Sequence, residues 1–318
     1  MKEVSYEELK KMRRDSYELI DIRDEGLTAY GMIPGAVRIN IEDLEYSEIR
    51  SSLKSDTDKE EKRKRAEQSI QKKYRYKLFS PFTKACKKYK LIEEGDHIAV
   101  CMSGGKDSML MAKLFQEIKR HDLFEFKLTF LVMDPGYNKE NRELIESNAA
   151  ALGIPITIFE SRIFDAVDTI ENSPCYICAR MRRGYLYRKA KELGCNKIAL
   201  GHHYDDVIET ILMSMLQSAQ IRTMMPKLHS LNFEGMELIR PLYLVREADI
   251  CAWRDYNDLH FLQCACHFTD NCTTCHEDGN TSGKRLETKK LIAELKKTGN
   301  LHRRRRIANQ LTSAFMRL

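Results

Sequence analysis

Ile98-Ala-Val-Cys-Met-Ser-Gly-Gly-Lys-Asp-Ser108 is the stretch whose reading decides the fold. An apolar run enters a Gly-rich turn, and apolar residues then recur at helical spacing over 108–120. A buried strand turning straight into a helix opens a β-α unit. The turn has the chemistry of an anion site. Glycines let the backbone aim N–H groups inward, and the helix N-terminus adds partial positive charge. Ser103 and Ser108 bring hydroxyl donors, and Lys106 brings a full charge. The spacer and the GK[ST] ending of a Walker loop are missing. The plain alternative is a tight turn that binds nothing. The full Ser-Gly-Gly-Lys-Asp-Ser run after a buried strand weighs against it.

Outward from that turn the pattern alternates. Strands are expected at 97–101, 127–133, 156–159 and 197–200, and helices at 108–120, 141–152, 179–193 and 207–217. Such alternation predicts an α/β fold with a doubly wound parallel sheet, whose ligands sit at the carboxyl ends of the strands. Asp134 and Gly201 stand at two of those ends. Residues 1–48 read as a small α/β appendage, with a helix at 6–13 and strands at 17–22 and 37–41. Residues 49–78 are charge-rich and read as a linker followed by a solvated helix. The main domain is expected over 79–300 and a basic tail over 301–318.

Charged residues make up 31% of the 318 residues, and no apolar run approaches the roughly 20 residues of a membrane helix. The first residues carry no apolar signal region, so a cytoplasmic protein with no membrane partner is expected. A reducing compartment turns clustered cysteines toward metal or catalytic use. Cys175, Cys178, Cys264, Cys266, Cys272 and Cys275 are clustered, whereas Cys86, Cys101, Cys195 and Cys251 are scattered and read as ordinary buried cysteines. Charge is uneven. Residues 51–90 hold 14 Lys/Arg against five Asp/Glu, and the tail from His302 holds five Arg and no acid. Two basic segments around an acidic body point to a polyanion such as RNA, with a solvated helix face as the bland alternative.

Cys175 and Cys178 form a C-x-x-C pair, which can grip one metal or cluster, and Arg180, Arg182 and Arg183 follow it. Gly201-His-His-Tyr-Asp-Asp206 follows a strand end, where nucleotide and magnesium contacts are expected. Asp205 and Asp206 could instead cap the next helix. Asp134 is either a nucleotide or metal contact or the turn former of Asp-Pro-Gly. Arg240 is either a phosphate contact or half of a core-edge ion pair.

Ser103 to Ser108 resembles the loop of the PP-loop ATP pyrophosphatase superfamily, whose members adenylate a carbonyl oxygen with ATP before a nucleophile displaces AMP. The ordered set Ile92-Glu-Glu-Gly-Asp96, Arg182-Arg-Gly184, Ala199-Leu-Gly-His-His-Tyr-Asp-Asp206, Glu209-Thr210, Met225-Pro-Lys-Leu228 and Ile239-Arg-Pro-Leu242 is more specific. With the cysteines, it resembles the tRNA 2-thiocytidine synthetase family over roughly residues 65–295. The resemblance implies ATP-dependent thiolation of cytidine 32 in the tRNA anticodon loop. It implies Mg2+ and a [4Fe-4S] cluster on three cysteines, one iron being left open to carry sulfur. On the same grounds Ser103, Gly104, Gly105, Lys106, Asp107, Ser108, Asp134, Gly201, His202 and Asp206 would hold the nucleotide. Lys106, Asp107, Cys175 and Cys178 would serve the chemistry, with Cys175, Cys178 and Cys266 as cluster ligands. The usual second C-x-x-C is here Cys264-Ala-Cys266, so Cys264 remains open as the third ligand. Sulfide or a cysteine desulfurase would supply sulfur, and a homodimer is compatible with the sequence. Two rivals are a PP-loop enzyme acting on another base and a non-enzymatic iron–sulfur RNA sensor.

Leu19-Ile-Asp-Ile-Arg-Asp24 and Gly31-Met-Ile-Pro-Gly-Ala-Val37 resemble the first half of a rhodanese-like domain, without its cysteine loop. A docking or RNA-binding remnant is the preferred reading. Val100-Cys-Met-Ser-Gly-Gly-Lys106 also resembles a rhodanese loop with Cys101 as nucleophile, but its spacing from Pro34-Gly-Ala36 is too long.

Overall fold

A computed structural model describes residues 20–21, 37–38, 46–122, 124–161, 163–164, 174–262 and 284–298. The expected helix at 6–13, the cysteines at 264, 266, 272 and 275, and the tail 301–318 lie outside the described residues. The chain divides into two units, Met1–Glu61 and Lys62–Leu318. In the first, β1 (Ile20–Asp21) and β2 (Val37–Arg38) pair in parallel, Ile20 opposite Val37. They fall within the two strands expected there.

In the second unit, β3 (His97–Met102) is the central strand of a six-stranded sheet. Ile98, Val100 and Met102 turn to one face, and Ala99 and Cys101 to the other. That alternation between two covered faces explains the unbroken apolar run. With β4 (Lys127–Asp134), β5 (Ile156–Glu160), β6 (Lys197–Ala199), β7 (Lys227–His229) and β8 (Glu237–Ile239), the order is β5-β4-β3-β6-β8-β7. Neighbours are parallel except at the antiparallel β7–β8 edge. The chain runs outward from β3 to β5 and then returns to place β6 on β3's other side. The strand order therefore reverses between β3 and β6, which puts the binding crevice at their carboxyl ends. The doubly wound sheet is as expected. The β7–β8 pair is an addition, made of two three-residue strands too short to carry an alternation signal.

Helices cover both faces. On one, Leu110, Leu114 and Phe115 of α3 (Lys106–Arg120) pack with α2 (Ser80–Lys88), α4 (Lys139–Ala151) and α7 (Glu247–Tyr256). The Phe82 and Phe115 rings meet edge to face at 5.3 Å. On the other, Tyr187 and Ala190 of α5 (Pro174–Glu192) cover Ala99 and Ile198. Two further helices, α6 (Tyr204–Ser218) and α8 (Lys284–Thr298), complete the unit.

The expectation of a linker and solvated helix at 49–78 needs correction. Helix α1 (Tyr46–Gln71) is continuous, and from Ala66 it is part of the core. Ala66, Ile70, Tyr74 and Leu78 recur every fourth residue and are all 5% exposed or less. A strict four-residue repeat drifts around an α-helix of period 3.6, and a wider π-turn at Arg75–Phe79 takes up that drift. The indole N–H of buried Trp253 donates to Ser69 Oγ at 3.1 Å, satisfying its polar end against the same stretch.

Charged side chains join α1 to α3. Lys113, 2% exposed, donates to Glu67 Oε1 (2.8 Å), Gln116 Oε1 (2.7 Å) and the Leu152 carbonyl (2.8 Å). Burial would raise the Glu67 carboxyl, but Lys113, Arg120 and Arg63 prevail and hold it at about 2, below its ordinary 4.5. A carboxyl lowered on folding stabilises fully above its ordinary value and loses that contribution as pH falls toward the folded one. Lys113→Met should cost about 1–3 kcal/mol at neutral pH, since it removes one of three cations on Glu67 and leaves the Leu152 carbonyl without its donor. In thermal melts, the stability gap between wild type and Glu67→Gln should be full at pH 6 and close between pH 4.5 and 2. A gap independent of pH would contradict the pairing.

Candidate active site

The loop after β3 has the geometry of an anion cradle. Gly104 takes φ +82°, and Gly105 opens α3 without any side-chain cap. The first-turn N–H groups of α3 are thus left to a ligand or water. Ser108 Oγ accepts from the Ser103 N–H (3.2 Å) and donates to the Gly105 carbonyl (2.9 Å), which locks the turn. Two glycines are required by space. A Cβ on Gly104 would stand 2.5 Å from Ile145 Cγ1. One on Gly201 would stand 3.3 Å from Ser108 N and 3.4 Å from the Asp107 carbonyl carbon. The end of β6 is therefore packed directly on the start of α3, and two motifs far apart in sequence meet.

Charge is concentrated at this point. Lys106 Nζ reaches Asp107 Oδ2 at 3.1 Å and Glu247 Oε1 at 3.2 Å. Burial would lower the ammonium, but those carboxylates prevail and its pKa moves up. Glu247 begins α7. Burial would raise its carboxyl, but Lys106, His203 and Lys289 hold it at about 2. Asp107 Oδ1 is buried with no hydrogen-bond partner among the described residues.

His203, 3% exposed, faces the loop. Its Nε2 lies 3.9 Å from Asp107 Oδ1 and 3.8 Å from Glu247 Oε1. Its Nδ1 accepts from the Asp206 N–H at 3.3 Å, while Asp206 Oδ2 accepts from the His203 N–H at 2.9 Å. This reciprocal pair caps α6 and turns Nε2 toward the carboxylates. His202 is half-buried beside it. Asp205 accepts from the Glu247 N–H (2.8 Å) and pairs with Arg246 (3.1 Å). Both aspartates are thus engaged as helix anchors around the site.

Asp134 ends β4 and forms a turn. Its Oδ1 accepts from Gly136 N and Tyr137 N at 2.8 and 2.7 Å, and its Oδ2 pairs with Arg142 at 3.2 Å. Helix α5 begins earlier than the sequence pattern indicates, so Cys175 and Cys178 stand in its opening turns. Cys178 is half-buried against Met133 and Ile163, at the carboxyl end of β4. Cys86, Cys101 and Cys195 are buried. Burial pushes the Cys101 thiol to about 12, which is wrong for a sulfur-carrying nucleophile.

Three residues at the site escape sequence reasoning. Glu247 resembles any first-turn acid complementing a helix dipole. Lys289 lies in a charge-rich helix, yet its Nζ reaches Glu247 Oε2 (3.4 Å) and Glu209 Oε1 (3.7 Å). Leu262 touches the loop through its backbone, its N–H donating to the Gly104 carbonyl at 3.3 Å. Backbone contact leaves no compositional trace.

Gly201→Ala should push α3 off the β6 end and weaken ATP binding by about ten-fold or more, roughly 1.4 kcal/mol or above. Isothermal titration with ATP measures this. Unchanged affinity would show that the close approach does not shape the cradle.

A PP-loop domain model matches residues 77–267. A rhodanese-like domain model matches residues 5–140, overlapping it, although 97–134 form the first β-α-β of the six-stranded sheet. The tRNA-cytidine(32) 2-sulfurtransferase of Syntrophotalea carbinolica is 34% identical over 220 residues, 67% of this chain and 79% of that protein. The protein of that name from Anaeromyxobacter dehalogenans is 33% identical over 222 residues, 69% and 73% of the two chains. In fold, the chain is similar to the U34-tRNA thiolase NcsA from Methanococcus maripaludis, solved with its [4Fe-4S] cluster. The TM-score is 0.57 at 20% identity, covering 75% of this chain and 78% of that one. Matched by the domain model across its loop, sheet and histidine–aspartate segment, and by full-domain relatives at a third identity, the chain belongs to the tRNA-cytidine(32) 2-sulfurtransferase family of PP-loop enzymes.

Proposed function

We propose that the chain uses ATP to replace O2 of cytidine 32 in the tRNA anticodon loop with sulfur. O2 attacks the α-phosphorus of ATP and pyrophosphate leaves. Sulfur then adds at C2 and AMP departs with the former O2. The loop N–H groups, Ser103, Ser108 and Lys106 hold the phosphates, and Gly104, Gly105 and Gly201 leave room for them. Asp107 is the best-placed Mg2+ ligand, because its buried, unpartnered Oδ1 suits a hard cation. His202 and Asp206 flank the nucleotide from the β6 side, and Asp134 bounds it at the end of β4. Lys106 neutralises charge developing on the transferred phosphoryl group.

Cys175, Cys178 and Cys266 would hold a [4Fe-4S] cluster, with Cys264 the alternative third ligand. Cys178 is half-buried, thiolate donors suit such a cluster, and three ligands would leave an iron position able to supply sulfur. The observation that carries the reading is placement. The cysteine helix opens beside Met133, at the same sheet end as the loop, so base, ATP and sulfur source can converge. Sulfide or a cysteine desulfurase supplies the sulfur. The rhodanese-like segment 1–48 serves as a docking or RNA-binding element. Among the described residues no helix is long and apolar enough to cross a membrane.

Under anaerobic conditions with ATP, tRNA and sulfide, AMP release should require tRNA and match 2-thiocytidine formed. Lys106→Ala should reduce it by about 10²–10³. No AMP release with tRNA and sulfide would favour the non-enzymatic sensor, and AMP release that needs no tRNA would contradict a tRNA base as the group activated. Purified anaerobically, the protein should carry about four irons per chain, lost on Cys175→Ala. Zinc in their place would rule out the cluster.

A further inference from the structure

Arg240 follows β8 at its carboxyl end and is 7% exposed. The Ile239 carbonyl before it accepts from the Leu200 N–H at 3.0 Å, which places Arg240 beside the Leu200–Gly201 turn. Its Nη1 donates to the Met225 carbonyl, and its Nε is buried without an acceptor among the described residues. No carboxylate among the described residues lies within ion-pair distance, so the core-edge ion pair left open by the sequence is not formed among them. Asp206 acts on it only at longer range and is already engaged by the His203 N–H. The largest charged influence on it is another cation, Arg183 of α5, which is exposed and also lacks a carboxylate partner among the described residues. Burial first, then Arg183, lower the Arg240 guanidinium to about 10, so it stays charged at neutral pH. A buried charge beside a like charge is costly unless a ligand answers it. Guanidinium forks are suited to the oxygens of phosphate.

We infer that Arg240 and Arg183 form a second phosphate site, separate from the Ser103–Ser108 loop, that grips a phosphodiester of the RNA substrate. β8 lies two strand spacings from β3, about 10 Å, which keeps the two anion sites apart. Arg183 stands five residues beyond Cys178 on the same helix, and Arg240 stands on the strand next to β6. A base that must meet both the loop and the cysteines carries its flanking phosphate into the space between that helix and that strand. The RNA assignment rests on the proposed thiolation; the phosphate chemistry does not.

The test uses full-length, cluster-loaded protein with Arg183→Ala and Arg240→Lys, the first being an exposed change that spares the fold. Fluorescence anisotropy with unmodified tRNA is read across a salt series, and ATP affinity by titration. Each variant should bind tRNA about ten-fold more weakly with ATP affinity unchanged. Arg183→Ala, which removes a charge, should also reduce the salt slope by about one, whereas Arg240→Lys, which keeps the charge and loses the fork, should leave the slope as it is. Weakened ATP with unchanged tRNA would keep the phosphate chemistry and overturn the RNA source. Variants equal to wild type in both would overturn the inference while leaving the proposed function standing. A wild type that binds no tRNA would overturn the RNA source and the proposed function together, and the ATP arm would then decide whether phosphate binds there at all.

Discussion

Backbone contact between Gly201 and the opening of α3 governs everything at the carboxyl end of the sheet. β3 and β6 are neighbours in register, Val100 opposite Ala199, so their exits are forced together where the strand order reverses. Gly201 has no Cβ to hold them apart, and its Cα packs near Asp107 and Ser108. The anion cradle is therefore built by topology as much as by the loop's own residues. His203 faces the loop because it lies two residues beyond that contact.

Around the cradle, opposite charges tie separate elements into one unit. Lys106 on α3 meets Glu247 on α7, and Glu247 meets Lys289 on α8. Asp205 on α6 accepts from the Glu247 backbone. Each of these carboxylates is lowered or anchored by a neighbour rather than exposed to solvent. Lys106 pairs with two carboxylates, so an anion that binds the loop must compete with Asp107 and Glu247 for it. That competition favours an anion of high charge over a monoanion.

The sheet was legible because its signals are local. The run at 98–102 needs two covered faces, and the Gly-Gly turn needs a positive φ at Gly104. The strand–turn–helix geometry of 98–108 could be read for the same reason, and so could both options for the aspartates after β6, which the structure engages at helix starts. What could not be read depends on distant partners. The stripe of Ala66, Ile70, Tyr74 and Leu78 hides in a charge-rich segment, because Glu, Gln, Lys and Arg fill most of the positions between them. Glu247 and Lys289 matter only through residues more than forty positions away. Arg240 had two sequence readings, and only the absence of a carboxylate partner among the described residues separates them.

Sulfur for oxygen in a cytosine ring is the chemical outcome on which the reading of loop and cysteines together depends. Nucleoside mass spectrometry of tRNA from cells with and without the gene measures it most directly. Loss of 2-thiocytidine on deletion, restored by the wild-type chain and not by Cys178→Ala, is the predicted result. Unchanged 2-thiocytidine in the deletion, with another thiolated base lost instead, would contradict cytidine as the target.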